Sequence, residues 1–488
     1  MISSRSTMVD PSNQSKLAYD ALQDKGRRKR ASSVIVREDR EIGKKRNQLR
    51  QTVNETAKNF AAVAWAIRRH LDYVALFDFH CRSKDPGLNR DIEFLMERDS
   101  RPTNFDAGGR LSREKFFRLM ESRRVLDGDV GQLYLFNGTS QGIESDLIRD
   151  PEDDKKNNAA GREWVDGVEI DGAGYPYRFS LHTRKPSPNT GYQYSKIINA
   201  SNLALYGFFE RFASDQVRGI SPVTSAINHF QDVKENIDYT LIKTKIHQIF
   251  ALAFSRKSEA TALDEVFPAG GEVSEDHAPQ CSDEIQPRQI DLSGGPTVFD
   301  LDPDESVDLL ESKNPSNEFQ QFSQTVLMIA LKSLDIPYSF FDEAHTNYSG
   351  ARGSWLQYER STFDKRADQI ELRRRWTYFK LTKWMLNDEL TIPRSMSLAD
   401  IHAEWVPLGM PWWKPSEEIV GDLKAIASGL NNPQRIAKER GTGDVFDNID
   451  QTIAVIKHAR DKGIELLGEP FNLNFDVQFP APTLDAKA

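Results

Sequence analysis

Residues 221–254 read SPVTSAINHFQDVKENIDYTLIKTKIHQIFALAF. Ser221 is a favourable helix cap, and Pro222 suits the first helical position because its fixed φ matches the helix there. Apolar residues then recur every three to four positions, at Val223, Ile227, Phe230, Val233, Ile237 and Leu241. This spacing predicts one amphipathic helix of about 50 Å, at 1.5 Å per residue. A helix of that length is long for a globular protein and suits a protein with long exposed or intersubunit helices.

Two more helices are predicted further along the chain. Residues 318–336 form an amphipathic pattern that ends at Pro337, and residues 354–390 form a proline-free pattern that would be about 50–55 Å long. The stretch HTNYSGARGSW (345–355) lies between them and predicts a short polar loop. The sequence MPWWKP (410–415) then introduces a C-terminal region with helical patterns.

The first half of the chain mixes helix and strand patterns. A helix is predicted over about 41–75, and DAGGRLSREKFFRLMESRRVLDGD (106–129) predicts a turn and then a helix that begins after Ser112. Residues 131–136 predict a strand, and residues 165–184 predict two strands around a Gly-rich turn. The fold class expected from these patterns is α+β.

Charge is strongly segregated along the 488-residue chain, whose net charge is −9. Residues 258–312 contain fifteen Asp or Glu residues and a single basic residue, Arg288, which gives a local charge of −14. Residues 25–50 hold eleven Lys or Arg against three acids, which gives +8. The basic stretch could bind a polyanion such as nucleic acid, although a solvated arm followed by a helix explains it better.

Several classes of protein are disfavoured by composition. The longest apolar run, residues 60–67, is far shorter than the ~20 residues of a membrane-spanning helix, and the first residues lack a secretion signal, so we expect a soluble, unexported protein. Cys81 and Cys281 stand 200 positions apart without any Cys/His cluster, so neither a disulfide framework nor a zinc site is expected. We predict no metal and no cofactor.

One catalytic pattern occurs. Gly138 to Gly142 fits G-x-S-x-G with Ser140 as the nucleophile, and it follows a predicted strand. The residues that follow are acidic and their pattern is interrupted, so they do not predict the helix that a nucleophile elbow requires. A loop serine is therefore favoured, and a serine hydrolase remains an alternative. The acidic residues 300–311 resemble a calcium loop in composition but lack its central glycine and final glutamate.

Aromatic and basic residues alternate in RRRWTYFKLTKW (373–384). Such a run could stack nucleic-acid bases. Trp376, Phe379 and Trp384 fall at helical spacing, which favours a core or subunit contact instead.

Six motifs occur in a fixed order between residues 17 and 465: LRQTVNETAKN (49–59), the 106–129 segment with its closing D-G-D, GIESDLIRDP (142–151) followed by GVEIDGAGYPYRF (167–179), DQVRGISPVTSAIN (215–228), DIPYSFFDEAHTNYSGAR (335–352), and IASGLNNPQRIAKERGTGDVFDNIDQ (426–451). Together they resemble the portal proteins of tailed bacteriophages, in the lambda-type branch. The chain departs from the pattern at Asp335, where glycine is usual, and at Gly350, where a second serine is usual.

The resemblance implies the portal fold, with a mixed α/β wing, a long-helix stem, an α/β clip, a helical crown and a ring of copies. The corresponding regions would be a basic arm (1–40), the wing (41–220), a stem helix (221–256), the acidic clip (257–316), a second stem helix (317–336), a channel loop (337–353), a long wing helix (354–392), and the crown with the C-terminal tail (393–488).

The resemblance also implies a structural protein and not an enzyme. Such a ring, usually of twelve copies, stands at one vertex of the capsid in the virion and is assembled in the host cytoplasm. The terminase large subunit packages double-stranded DNA through it, and the DNA later leaves by the same route. Major capsid and scaffolding proteins and a head-completion or adaptor protein are the other implied partners, with no membrane involved.

The residues expected to carry these roles fall into three groups. His345, Asn347, Tyr348, Ser349 and Arg352 would form the DNA-channel loop, unless Tyr348 and Arg352 serve only to fix the helix start. Arg218, Ser221 and Pro222 would begin the stem helix. The docking surface for terminase or adaptor would include Asp276, Asp283, Glu284, Asp302, Asp304 and Glu305. The alternative function is a ring-forming component of a defective prophage-like particle without DNA passage.

Overall fold

The computed structural model describes residues 37, 39, 42, 45–152, 159–186, 188, 191–249, 252–256, 305–309, 317–342, 348–394, 396–409 and 414–463. These residues divide into two units. The first unit contains the described residues up to Ile227 and those from Ala330 onward, and the second runs from Asn228 to Ile329. Helices and small sheets are both present, which confirms the mixed class expected from the sequence.

The helices of the first unit are α1 (Arg46–Asn59), α2 (Ala61–Val74), α3 (Pro86–Arg98), α4 (Pro102–Phe105), α5 (Arg113–Asp127), the long helix designated α8 (Tyr348–Leu386), α9 (Pro415–Ala427), α10 (Pro433–Arg440) and α11 (Val445–Asp461). A 3₁₀ turn, Pro222–Ala226, leads to the second unit. The last three helices agree with the helical C-terminal pattern.

The strands of the first unit are β1 (Phe77–Arg82), β2 (Asp129–Tyr134), β3 (Ser140–Glu144), β4 (Glu163–Val165), β5 (Val168–Ile170), β6 (Pro176–Arg184), β7 (Tyr192–Asn199), β8 (Leu203–Gly207) and β11 (His402–Pro407). They form antiparallel sheets in the orders β3-β2-β8, β4-β5-β6-β7 and β1-β11. The strand predicted at 131–136 and the two predicted within 165–184 are confirmed.

The helix predicted over about 41–75 is two helices. Phe60 has φ −129° and ψ 112°, an extended conformation that separates α1 from α2. The two sides of this break differ in character, because α1 buries Arg46 and Arg50 as well as Val53, whereas α2 buries mainly aliphatic residues. The break therefore separates a polar helix from an apolar one.

The start of the region predicted to be a helical crown, 393–488, contains a strand. β11 pairs antiparallel with β1, from Phe77 opposite Pro407 to Arg82 opposite His402. The pairing partner lies more than 300 residues earlier, so no local pattern could reveal it. Trp405 of β11 is buried, with its ring centroid 5.0 Å from that of Phe79.

One face of the aromatic-basic run of α8, which includes Trp376 and Trp384, lies in the core, as the helical spacing favoured. Trp376 is fully buried, and its ring centroid lies 5.1 Å from that of Phe105 and 6.0 Å from that of Phe117. The Arg373 guanidinium is also buried and lies 4.4 Å from the Phe117 ring centroid. Nucleic-acid stacking on Trp376 is therefore incompatible with its burial.

The long helix α8 begins six residues before the predicted start at 354 and ends at Leu386. Its 39 residues correspond to about 58 Å. Ser349, Gly350 and Arg352 are consequently helical, and the predicted channel loop, 337–353, is shorter than expected. Part of that range, Tyr338–Phe340, is a 3₁₀ turn.

Asp335 lies just before this turn in a left-handed conformation, with φ 61° and ψ 13°. Glycine adopts this conformation without the steric cost of a Cβ atom. The conformation therefore gives a physical reason for the glycine that the portal pattern has at this position.

The second unit contains α6 (Ile227–Ile249, whose first residue belongs to the first unit), β9 (Leu252–Arg256), β10 (Glu305–Leu309) and α7 (Asn317–Leu331, whose last two residues belong to the first unit). β9 and β10 pair antiparallel, with Leu252 opposite Leu309. The 23 residues of α6 span about 34 Å, shorter than the predicted 50 Å, because the chain becomes a strand at Leu252. The helix predicted over 318–336 is confirmed in its main part by α7.

We expect Trp376→Ala to lower the free energy of unfolding by about 3–5 kcal/mol, because it leaves a large cavity among packed aromatic rings. Tyr378→Ala, on the same helix, removes a ring that is 40% exposed and should cost less than about 1 kcal/mol. Urea unfolding followed by tryptophan fluorescence and circular dichroism measures both. Equal decreases in the free energy of unfolding in the two variants would contradict the assignment of Trp376 to the core.

Candidate functional site: the anchors of the long helices

Two glycines bring the chain before α6 against the end of α5. A methyl group on Gly219 would lie 2.2 Å from the carbonyl oxygen of Gly128, and one on Gly128 would lie 2.5 Å from that of Gly219. Gly128 also has φ 92°, a region that favours glycine. The D-G-D and Q-V-R-G motifs, which are about 90 residues apart, thus meet backbone to backbone.

Arg218 fills the space beside this contact and is 1% exposed. Its Nε donates to Asp129 Oδ2 at 2.7 Å, and its Nη2 donates to Asp129 Oδ1 at 2.8 Å. Nη1 donates to the carbonyl oxygens of Ile148 at 3.0 Å and Asp166 at 2.7 Å, and Nη2 also donates to that of Ser145 at 2.9 Å. Every N–H of the guanidinium therefore has an acceptor, which burial of the charge requires.

Asp129 is equally buried and fully bonded. Its carboxylate accepts hydrogen bonds from the Gly219 amide at 2.8 Å and from the Ser145 hydroxyl, in addition to Arg218. Burial by itself raises the pKa of Asp129, but the charge and hydrogen bonds of Arg218 outweigh it and bring the pKa down to about 2. The pair is bidentate and ionised at neutral pH.

Asp39 and Arg46 extend this junction, and the sequence analysis did not single them out. Arg46 Nη1 donates to the Gly219 carbonyl at 2.8 Å, and its Nη2 donates to Asp39 Oδ1 at 3.0 Å. Asp39 Oδ2 accepts from the Val217 amide at 2.9 Å. Their only sequence signal was the basic stretch that ends at Arg50, which gave no indication of burial.

Ser221 and Pro222 occupy the positions predicted for them. Ser221 Oγ accepts from the Val223 amide at 3.2 Å, and its hydroxyl donates to the Val125 carbonyl at 2.5 Å. Pro222 is the first residue of the 3₁₀ turn that continues directly into α6. The structure thus brings Arg218, Ser221 and Pro222 together at one buried junction.

A second buried polar cluster fixes the middle of α8. Glu121 of α5 contacts His70 Nε2 at 2.7 Å and accepts from Gln369 Nε2 at 3.1 Å and from the Tyr206 hydroxyl. Arg124 Nη1 lies 2.6 Å from the Tyr206 oxygen. Burial raises the pKa of Glu121, but Arg124 and the hydrogen bonds bring it down to about 2.

The start of α8 is tied to the C-terminal helices. Arg352 forms an ion pair with Glu418 of α9, and the second oxygen of Glu418 lies 3.1 Å from Arg440 Nη1. Arg440 also contacts both oxygens of Asp422 at 3.1 Å. This chain of charges connects the first turns of α8 with α9 and α10, so Arg352 has at least a structural partner.

The other predicted channel-loop residues are less fully described. Tyr348 is the first residue of α8, and Ser349 is exposed in the first turn of this helix. His345 and Asn347 lie outside the described residues. So do most of the predicted acidic docking residues, namely Asp276, Asp283, Glu284, Asp302 and Asp304, whereas Glu305 begins β10.

Ser140 does not lie at a strand-to-helix turn. It belongs to β3, opposite Tyr134 of β2, and is fully buried. Its hydroxyl oxygen accepts from Gln132 Nε2 at 3.1 Å. This geometry contradicts the nucleophile-elbow hypothesis. Across the described ranges, no group of three or more His, Cys, Asp or Glu side chains could hold a metal ion.

Comparison with known proteins gives a family match over most of the chain. The model of the phage portal protein, lambda family, matches residues 25–366. No curated protein matches the chain. Among the described residues, every helix is too short or too polar to span a lipid bilayer.

Solved structures of gene transfer agent (GTA) particles are similar to the chain. The neck of an empty GTA particle, computed with C6 symmetry, has a TM-score of 0.45 and 12% identity over 81% of this chain and 94% of that one. The virion of a native GTA particle has a TM-score of 0.43 and 13% identity over 79% and 92%. The neck of a native GTA particle, computed with C12 symmetry, has a TM-score of 0.42 and 12% identity over 81% and 94%.

We expect Gly219→Ala to lower the free energy of unfolding by at least about 2 kcal/mol, because the new methyl group meets the Gly128 backbone. Gly172→Ala is the matched control, since nothing lies within 4 Å of its added methyl group. Its stability should stay within about 0.5 kcal/mol of the parent or rise slightly. Urea midpoints measure both, and an unchanged midpoint for Gly219→Ala would refute the close contact.

Asp129→Asn should lower the free energy of unfolding by about 3–5 kcal/mol at pH 7, because it removes the carboxylate that forms the bidentate ion pair with the buried Arg218. The folded pKa of Asp129, about 2, lies below the unfolded value of about 3.9. The stabilisation is therefore present above about pH 4 and lost as the pH falls towards 2. When urea unfolding is measured between pH 7 and 2, the free energy of unfolding should fall less steeply with decreasing pH in the variant than in the parent.

Asp215→Asn is the control for that comparison, because Asp215 is 45% exposed and lies 3.7 Å from Arg211. It should leave the acid-side slope of the parent unchanged. If the free energy of unfolding depends on pH equally in Asp129→Asn and the parent, ionisation of Asp129 does not account for the loss of stability in acid.

Proposed function

The chain belongs to the lambda family of phage portal proteins, and from this premise we propose that it forms a ring of twelve copies at one vertex of the capsid. Double-stranded DNA enters the capsid through the ring during packaging by terminase and leaves by the same route at ejection. The observation that carries the proposal is the family match over residues 25–366, which includes the stem helices and the start of the long helix. The protein is a portal-type structural component.

The helix dimensions are compatible with a DNA conduit. Twelve helices packed side by side at about 9 Å form a circle with a radius of about 17 Å at their axes. Subtracting a helix radius of about 5–6 Å leaves an opening about 23 Å across, which admits a duplex. α6 and α7 would supply these helices as the stem. Their side chains include exposed apolar residues that neighbouring copies would cover: Ile237, Leu241, Ile242, Phe322, Met328 and Ile329.

The remaining regions take the roles implied by their positions in the chain. The described residues from Arg46 to Ile220 would be the wing, residues 257–316 the clip, and α9 to α11 the crown. β11 would join the wing and not the crown, because it completes a sheet with β1. The basic arm, residues 1–40, falls almost entirely outside the described residues.

The acidic segment would give the channel its electrostatic character. A charge of −14 in residues 258–312 of each copy makes a strongly negative collar when twelve copies meet. DNA is itself densely anionic and would be repelled from such a wall instead of adhering to it. The same collar would offer a docking surface to basic parts of the terminase large subunit or of a head-completion protein.

The short segment before α8 would project into the channel, with Arg352 holding the helix start through Glu418. Capsid and scaffolding proteins would surround the wing, which places the protein in the virion after assembly in the host cytoplasm. These partner assignments rest on the family and on the charge distribution.

Electron microscopy of the purified full chain tests the ring. Closed rings with a central hole of about 23 Å are expected. A protein that stays monomeric at high concentration would overturn the proposal. A second outcome is that the protein forms rings but particles that lack it are still fully packaged. The protein would then be a ring-forming structural component without DNA passage.

Replacing residues 343–347 by an equal number of Gly and Ser residues should leave the rings intact but lower the amount of DNA packaged or retained. Glu418→Gln should have a smaller effect in the same direction, because it loosens the start of α8 without changing the loop. Packaged DNA per particle, measured by quantitative PCR after nuclease treatment, is the readout. Parental packaging by the 343–347 variant, with rings intact, would exclude a channel role for this segment.

A further inference from the structure

A cavity of about 590 Å³ lies in the first unit, between β5, β6, β8 and the segment that follows β8. Apolar side chains supply most of its wall. They include Val168, Phe179, Leu203, Leu205 and Val217, which are buried or half-buried. The portal function proposed above assigns no role to this cavity.

Part of the apolar wall faces water. Phe209 and Tyr175 line the cavity and are 46% and 62% exposed. Exposed apolar surface around a concave site is typical of a surface that another segment or a partner covers. Arg211 and Arg375 also line the cavity, and their positive charge disfavours a basic occupant. An apolar segment therefore suits the cavity best.

The chain before α1 is attached at one side of this cavity. Asp39 is buried, and its Oδ2 accepts a hydrogen bond from the Val217 amide at 2.9 Å. Its Oδ1 accepts from the Arg218 amide at 3.3 Å. Because Val217 lines the cavity, these two bonds fix Asp39 beside the cavity wall.

Arg37 is attached at a second side of the cavity, through an ion pair with Glu163 of β4. Glu163 lies opposite Ile170 of β5. Side chains alternate along a strand, so Ile170 and Val168 share one face of the sheet, and Glu163 shares it as their cross-strand neighbour. Val168 lines the cavity, so Arg37 lies on the sheet face that forms the cavity wall.

Residues 34–36, which lie outside the described residues, read Val-Ile-Val and directly precede Arg37. They are the only run of three aliphatic residues among the first 45 positions. A chain advances at most about 3.6 Å per residue, so all three lie within about 11 Å of the Arg37 Cα. The sequence thus supplies an apolar segment next to the point where the chain meets the cavity.

We propose that Val34, Ile35 and Val36 occupy this cavity in their own chain and cover Phe209 and Tyr175. Burial of three branched aliphatic side chains against an apolar wall is favourable through the hydrophobic effect. The same chain is the occupant because its attachment at residues 37 and 39 has already restricted the segment, whereas a second copy would lose translational and rotational freedom on binding.

One consequence concerns the basic stretch at the start of the chain. Residues 25–30 contain five Lys or Arg, and only residues 31–33 separate them from Val34. Attachment of residues 34–36 in the cavity therefore holds this positive charge close to the surface of the first unit.

Photo-cross-linking of the full chain tests the occupant. Ile35→benzoylphenylalanine places a photoreactive group in the proposed segment, and mass spectrometry of proteolytic peptides identifies what it reaches. Cross-links to peptides that contain the lining residues, such as Leu205 or Val217, are expected. Val9→benzoylphenylalanine is the matched control and should give no preferred cross-link at the cavity. Absence of cavity cross-links from position 35, or the same cross-links from position 9, would overturn the proposal.

Mixing chains labelled with ¹⁵N and unlabelled chains before irradiation separates the two possible sources of the segment. Occupancy by the same chain gives cross-linked peptide pairs that are both labelled or both unlabelled. Pairs with one labelled and one unlabelled peptide would show that a second copy fills the cavity, which would contradict the proposal.

A second measurement follows the exposure of the cavity. The variant Val34→Ser/Ile35→Ser/Val36→Ser should raise the fluorescence of the apolar dye ANS at least about twofold, because the apolar wall becomes accessible. Leu17→Ser/Leu22→Ser, which removes apolar residues elsewhere in the same arm, should leave it unchanged. Circular dichroism verifies that both variants are folded. Parental dye fluorescence in the folded triple variant would overturn the proposal.

Discussion

The buried ion pair between Asp129 and Arg218 is the interaction on which the first unit depends. It joins the first residue of β2 to the segment before α6, and it forms only because Gly128 and Gly219 allow their backbones to touch. The carbonyl groups of Ser145, Ile148 and Asp166 are satisfied by the same guanidinium. One side chain thus fixes the positions of four chain segments, and loss of its partner would leave a buried charge without the carboxylate that pairs with it.

The long helix α8 is held by the same kind of chemistry combined with aromatic packing. Trp376 is surrounded by rings from other elements, while Gln369 and Arg373 place polar groups among buried partners. Further along the helix, Lys380 lies 2.7 Å from Asp99. A helix with charged groups on its buried side packs stably only where each charge meets a counter-charge or an acceptor.

This construction suits a protein whose proposed task is mechanical. A subunit of a DNA-conducting ring has to keep its helix starts fixed while charge and polymer move past them. Arg218 fixes the segment before α6, and the Arg352–Glu418 pair fixes the first turns of α8. The bidentate pair of Arg218 adds geometric specificity to this attachment, because each of its hydrogen bonds requires a defined direction as well as a defined distance.

The sequence by itself determined the α+β class, the existence of the long helices, the Ser221–Pro222 helix start and the family, because each depends on local spacing or on ordered motifs. Tertiary structure alone decided that Arg218 pairs with Asp129, that β1 pairs with β11 and that Ser140 is a buried strand residue. It also decided where helices end, at Phe60 and before Leu252. These features arise from contacts between residues far apart in the chain, whose burial and pairing energies outweigh local propensity and leave no periodic trace in the sequence.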